Sequence, residues 1–381
     1  MISNYTKLSK MERIIFDLRE LYGRYGYKQY KMRKFEEYDL YSKNKDFLVS
    51  DSVITFTDTT GKLMALKPDV TLSIVKNSKD TLNEVQKLYY DEHVYRVARG
   101  SHSFKEIPQV GLESIGDIDL YGVSEVLTLA AKSLEGCFDN FVLEISSLDV
   151  LSAFLNYITT DVGIQREIIK CVGEKNLHGI DAICMTNDLD ANAATPLKKL
   201  LSTYGEPYEV IDKATILANE IDASVQMETF ANTVRAFLAA WKVYGHKDNS
   251  NIRIDFSVID DMNYYNGLVF KGFVEGIPES ILSGGQYDKL MNKLHRKSRA
   301  IGFAIYLDML EYIDAVNEKY DVDIMLLYED DTSDVLLQET VAGLVATGKT
   351  VFVTKSINKK VKYMRLAKIV AGEVSILEDN A

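Results

Sequence analysis

Tyr264-Tyr265-Asn266-Gly267-Leu268-Val269-Phe270 and, further on, Ser283-Gly284-Gly285-Gln286-Tyr287-Asp288 are the stretches of this 381-residue chain whose reading decides its fold. Asn266-Gly267 between Tyr265 and Leu268 is a strong signal for a two-residue hairpin turn, whose central positions favour Asn-Gly because they need positive φ. Tyr265 and Tyr287 each sit beside such a glycine-rich segment. A tyrosine offers an aromatic wall and a hydroxyl, a combination suited to an imidazole ring. Plain core packing accounts for a single Tyr-Gly neighbour just as well. No GxGxxG or GxxxxGK[ST] spacing surrounds Gly284-Gly285, so a phosphate loop is a weak reading.

Upstream, Glu106-Ile107-Pro108-Gln109-Val110-Gly111-Leu112-Glu113 reads as a strand. Alternation puts Gln109, Gly111 and Glu113 on one face and Val110 and Leu112 on the other. The first face carries a carboxylate and an amide with a glycine between them. It either lines a polar pocket with room for a ligand or is a solvated face of an antiparallel sheet. Residues 87–96 predict the preceding strand, and residues 119–135 a following helix capped by Asp117 or Asp119. Residues 11–25 predict an amphipathic helix, and Lys67-Pro68-Asp69-Val70-Thr71 opens another with Pro68 in its first turn. Residues 150–247 are poor in glycine and helical in pattern, an insertion between two halves of one sheet. Strand character returns at residues 251–258, and a final helix is expected over residues 300–316. Beyond residue 319 the pattern is a small α/β unit: strands at 322–328, 351–355 and 374–377, with helices over 334–347 and 359–370.

Composition narrows the class. With 46% hydrophobic residues and only 5 prolines, the chain has ample core material and no long linker. No apolar run reaches about 18 residues, so no membrane span is expected. The first residues lack the layout of a signal peptide. Cys137, Cys171 and Cys184 form no CxxC pair and read as reduced thiols of a cytoplasmic protein. A net charge of −12 speaks against a nucleic-acid partner, because phosphate binding draws on Lys and Arg. His93, His102, His178, His246 and His295 show no metal spacing with the cysteines, and Asp260-Asp261 reads as a solvated turn. Neither metal nor cofactor is expected.

In chain order these pieces resemble one family, the histidyl-tRNA synthetases of class II. Lys67-Pro68-Asp69-Val70-Thr71 resembles the family's Arg-Pro-Glu/Asp-x-Thr, Val94-Tyr95-Arg96 the Phe-Arg of motif 2, and Gln109 to Glu113 its Gln-x-Gly-x-Glu. The two opening segments resemble Tyr-Tyr-Thr-Gly-x-Val-Phe and Gly-Gly-Arg-Tyr-Asp, and Ile301-Gly302-Phe303-Ala304 the start of motif 3. The resemblance implies an α+β fold, a class II antiparallel sheet with flanking helices over residues 1–318. It makes residues 319–381 a truncated counterpart of the anticodon-binding domain. It also implies a histidine pocket: Asp69, Thr71 and Gln109 on the α-ammonium, Glu113 and Tyr265 facing the imidazole, Tyr287 lining it, and Arg96 and Tyr264 completing the set.

The departures from the family are chemical. Asp260-Asp261-Met262-Asn263 stands where the synthetase has Arg-Gly-Leu-Asp, and Asp308-Met309 where motif 3 ends in Glu-Arg. Val97-Ala98 replaces the His-Glu or similar pair after Arg96, and Arg33 stands at the motif 1 proline. Adenylate formation builds negative charge on phosphates, and each missing arginine removes several kcal/mol of its stabilisation. Family members that keep the pocket and lose the chemistry serve as regulatory subunits of ATP phosphoribosyltransferase. The resemblance therefore implies a histidine-responsive, non-catalytic homodimer that joins a short-form catalytic subunit at the first step of histidine biosynthesis. A divergent histidyl-tRNA synthetase is the alternative.

Overall fold

Ser9 starts the first helix, α1 (Lys10–Arg24): its hydroxyl accepts from the Glu12 N–H at 3.2 Å, and the Glu12 carboxylate reaches back to the Ser9 N–H at 2.8 Å. Ile14, Leu18 and Tyr22 recur every four residues and form its buried stripe. The computed structural model describes residues 8–44, 53–78, 84–97, 103–190, 192–246, 248–259, 264–310, 320–370 and 372–380. Contacts divide the chain into a large unit over residues 9–312 and a small one built on residues 313–381.

In the large unit α1 is followed by β1 (Lys28–Gln29), β2 (Phe35–Glu37), α2 (Tyr38–Ser42), β3 (Thr55–Thr57), β4 (Leu63–Leu66) and α3 (Thr71–Asn77). Two 13-residue strands, β5 (Val85–Val97) and β6 (Phe104–Gly116), form a long antiparallel pair. Next come α4 (Leu120–Cys137), β7 (Phe141–Ser147), α5 (Leu148–Ile158), α6 (Val162–Gly173), α7 (Leu177–Thr186), α8 (Thr195–Leu201), β8 (Tyr204–Gly205), α9 (Pro207–Glu220) and α10 (Ser224–Val243). The unit closes with β9 (Ile252–Asp255), β10 (Asn266–Val274), β11 (Leu282–Gln286), α11 (Asp288–Lys293) and β12 (Arg299–Tyr306).

Nine strands pair in the order β1-β5-β6-β12-β11-β10-β7-β9-β8, and β2-β4-β3 make a separate small sheet. From β5 to β7 every pairing is antiparallel, while β1–β5 and β7–β9 are parallel, so the sheet is mixed at its margins. The helical stretch between β7 and β9 also returns a strand to the sheet: Tyr204 of β8 pairs with Asp255 of β9. Helix α4 buries most of its length, and Tyr22 and Ser133 share a 3.0 Å hydrogen bond that fastens α1 to it.

Four local expectations change. Residues 299–306 are a strand, not the start of a helix; β12 lies between β6 and β11 and is buried on both faces. Such a strand is apolar almost throughout, a pattern that periodicity cannot separate from a buried helix. Residues 363–370 are likewise strand, with Leu366 and Ala367 both buried. Asn266-Gly267 makes no hairpin: Gly267 has φ +63° at an irregularity in β10, and residues 275–281 connect β10 to β11. Pro68 precedes α3, which begins at Thr71. The small unit contains β13 (Val322–Leu327), α12 (Asp334–Ala346), β14 (Val351–Thr354), β15 (Tyr363–Val370) and β16 (Glu373–Asp379), in the order β14-β13-β15-β16.

Of the two acids before α4, Asp119 is the cap, its carboxylate accepting from the Gly122 N–H at 2.9 Å. Asp119→Ala is expected to lower stability by about 1 kcal/mol, whereas Asp117→Ala stays within about 0.5 kcal/mol. Urea denaturation of both variants checks the assignment.

Candidate functional site

Glu113 lies in the middle of the sheet and is 1% exposed. On its two sides β6 pairs it with Leu88 of β5 and Gly302 of β12. A Cβ at position 302 would lie 1.8 Å from the Glu113 Oε2, so the carboxylate occupies space that only glycine leaves open. Thr71, the first residue of α3, donates its hydroxyl to Glu113 Oε1 at 2.7 Å, and Tyr287 donates its own to Oε2 at 2.6 Å. Burial pushes the Glu113 carboxyl up to about 8; the two hydroxyl donors pull it down, and neighbouring Asp69 adds a further push upward.

Asp69 is also buried, and burial raises its carboxyl above the ordinary value, opposed by N–H groups at the start of α3 and by Arg96. Its Oδ1 accepts from the Leu72 N–H at 2.8 Å, which ties it to the helix. Arg96 of β5 donates Nε to the Pro68 carbonyl at 3.0 Å and so pins the segment that carries Asp69. Gln109 is 3% exposed, and its Nε2 has no partner among the described residues. The face of β6 holding Gln109 and Glu113 is therefore interior, and the solvated alternative falls.

The tyrosines close the cluster. Tyr264 and Tyr265 meet edge to face with centroids 4.6 Å apart, and Tyr264 lies 6.0 Å from Tyr287. Tyr265 lies against β11 where Gly285 has no side chain: a Cβ there would be 2.8 Å from the Tyr265 Cδ1. Asp69, Thr71, Glu113, Tyr264 and Tyr287 thus gather around one buried locus, with Tyr265 against it, Arg96 bonded to the segment that leads into α3 and Gln109 further along the same strand face.

Sequence reasoning missed Tyr90 and Tyr41. Tyr90 is paired with Gly111 across the β5–β6 register, and its hydroxyl would lie 2.4 Å from a Cβ there. Gly111 therefore leaves room for a neighbouring phenol rather than for a ligand; the signal was a tyrosine opposite a glycine, visible only once the register is known. The Tyr41 hydroxyl is buried without a partner among the described residues, in the same apolar cluster as Tyr264 and Tyr287. Ala98, His102 and the segment Asp260-Asp261-Met262-Asn263 lie outside the described residues. At the end of β12, Asp308 is buried and pairs with Lys105 at 2.6 Å. Among the described residues, no three His, Cys, Asp or Glu side chains gather as a metal site would require, and no helix is long and apolar enough to cross a membrane.

A nine-stranded sheet whose central strand β6 carries a buried acid and an amide, with paired tyrosines at the start of β10, is a class II synthetase architecture, and the family model for histidyl-tRNA synthetase matches residues 5–310. The chain belongs to that family. Among curated proteins it is similar to ATP phosphoribosyltransferase regulatory subunits. That of Clostridium acetobutylicum is 27% identical, with 95% of this chain and 92% of the relative covered. That of Oceanobacillus iheyensis is 26% identical, with 79% and 73% covered. Among solved structures, histidyl-tRNA synthetase from Nostoc shares the fold at a TM-score of 0.75 and 16% identity, covering 98% of this chain and 97% of that one. The regulatory subunit/histidyl-tRNA synthetase structure from Bacillus halodurans gives 0.71 and 22%, covering 91% and 88%.

The Glu113 carboxyl sets a pH dependence of stability. Below its ordinary value of 4.5 both folded and unfolded chains hold the proton; from there to about 8 only the folded chain does. Unfolding free energy is then expected to fall as pH rises through that window, with the loss complete above it. Glu113→Gln removes this contribution, so its denaturation midpoint is expected to fall less between pH 5 and pH 8 than that of the unsubstituted protein.

Proposed function

We propose that this chain is a non-catalytic, histidine-responsive regulatory subunit of ATP phosphoribosyltransferase that acts on a short-form catalytic subunit in the cytoplasm. The observation that carries the reading is the pairing of a closed acid–tyrosine cluster with the acidic end of motif 3. The cluster presents Asp69 and Glu113 as acceptors for an ammonium and an imidazole N–H, with phenol rings as walls. Where motif 3 calls for Glu-Arg to grip ATP, the chain has Asp308, already paired with Lys105, followed by Met309. An acid and a thioether offer a developing phosphate charge no stabilisation. The names of the curated relatives support the same role.

The chain in this proposal is a homodimer, and histidine favours one quaternary state over another; a coupling of about 1–3 kcal/mol is sufficient. Residues 319–381 are read as a truncated counterpart of the anticodon-binding domain. A divergent histidyl-tRNA synthetase is the second reading: the Nostoc synthetase matches this fold along 98% of the chain, although the regulatory subunit of Clostridium acetobutylicum is matched along 95% of it as well.

Two experiments separate these. Phosphoribosyl-ATP formation by the short-form catalytic subunit of the same organism is expected to rise when this chain is added, and then to fall as histidine is titrated. No histidine-dependent ATP–pyrophosphate exchange is expected, and measurable exchange turns the assignment to the synthetase. In calorimetry above pH 8, where the Glu113 carboxyl is ionised, Glu113→Gln is expected to weaken histidine binding by on the order of tenfold or more, since it removes a charge-assisted acceptor.

A further inference from the structure

A cavity of about 440 Å³ lies between α5, α10 and the neighbouring ends of β10 and β11. Helix α5 contributes Asp149 and Ser152, α10 contributes Gln226, Thr229 and Phe230, and β11 ends in it at Gln286. Among the described residues no Lys, Arg or His lines it. A phosphate or carboxylate entering here would meet one carboxylate and no cation, an unfavourable encounter.

The polar groups keep unused hydrogen-bonding capacity. Asp149 takes the Gly267 N–H on Oδ1 at 3.3 Å, which leaves Oδ2. Gln286 accepts the Leu268 N–H on Oε1 at 2.9 Å; its amide nitrogen makes no hydrogen bond among the described residues, although the side chain is only 9% exposed. Ser152 and Gln226 add a hydroxyl and an amide on the facing helices. Phe230 and Leu268 supply an apolar wall. Carboxylate and amide groups that accept and donate side by side match neighbouring hydroxyls, each of which is donor and acceptor at once. The apolar wall suits the C–H face of a ring.

We propose that this cavity is a binding site for a small, uncharged, polyhydroxylated molecule of monosaccharide size that carries no phosphate. Its walls are continuous with the amino-acid cluster, because Gly267 and Leu268 follow Tyr265 closely and Gln286 directly precedes Tyr287. Occupancy therefore bears on the segments that hold both tyrosines. That coupling rests on the amino-acid pocket being real, whereas the site itself does not.

Saturation-transfer NMR on the full chain tests the site, with D-ribose and D-glucose as probes and ribose 5-phosphate as the charged control. Transfer to the ring protons of the neutral sugars is expected at millimolar concentration, and little or none to the phosphate ester. Ala153→Trp, which fills the cavity from α5, is expected to abolish the signal. Gln226→Ala, at an exposed position of α10 that leaves the fold intact, is expected to weaken binding about five- to tenfold through one lost hydrogen bond. No transfer to either sugar overturns the proposal. So does transfer unchanged in both variants, or equal transfer to ribose 5-phosphate. Because the readout is sugar binding, its failure is distinct from any failure of histidine regulation.

Discussion

A carboxylate buried in the middle of a sheet constrains everything around it. Glu113 has two hydroxyl donors and a glycine opposite, and each comes from a different segment: Thr71 from α3, Tyr287 from the turn after β11, Gly302 from β12. Burying an acid without partners is costly, so these segments must arrive together for any of them to be tolerated. The long β5–β6 pair serves as the platform. It carries Glu113 and Gln109 on one strand and Arg96 and Tyr90 on the other, and its register fixes how they face α3.

Much of this was legible in the chain, and the limits have physical causes. Alternation alone placed Gln109 and Glu113 on one strand face, and the capping rules found the start of α4. Alternation did not say whether that face was wet or dry, because a lone strand carries no information about what covers it. Pattern reading failed at residues 299–306, where a strand buried on both sides is a continuous apolar run with no period to read, and at residues 363–370, where Arg365 and Lys368 stand three apart, a spacing that fits a helix face as well. It failed again at Asn266-Gly267, where only Gly267 takes a positive φ and does so at an irregular strand start instead of a turn. Asn266 is held there by Asp288 and by the N–H of Lys289, contacts that no local rule foresees. Tyr90 and Tyr41 were invisible for a related reason. Tyr90 matters through the glycine across from it, which register rather than composition sets, and Tyr41 through a tertiary cluster that its short helix does not announce.

The contrast between the acid–tyrosine cluster and the buried Asp308–Lys105 pair gives the molecule its character. In the proposed reading, a family whose chemistry depends on arginines gripping phosphates is represented here by a chain with an acid–lysine pair, Asp308 and Lys105, at one of those positions. Binding and catalysis draw on different groups, so one set can be kept while the other drifts. The cavity behind Tyr265 and Tyr287 extends the same logic, because it is bounded by neutral polar groups and one acid.

The vacancy at Gly302 has a consequence for the family's sequences. The Glu113 carboxylate and any side chain at position 302 claim the same volume. A Cβ at position 302 would also meet the Leu112 carbonyl at 2.4 Å, so the paired strands accommodate the buried acid with glycine across from it. A relative with a larger residue at the position equivalent to Gly302 is therefore expected to carry a smaller side chain where this chain has Glu113.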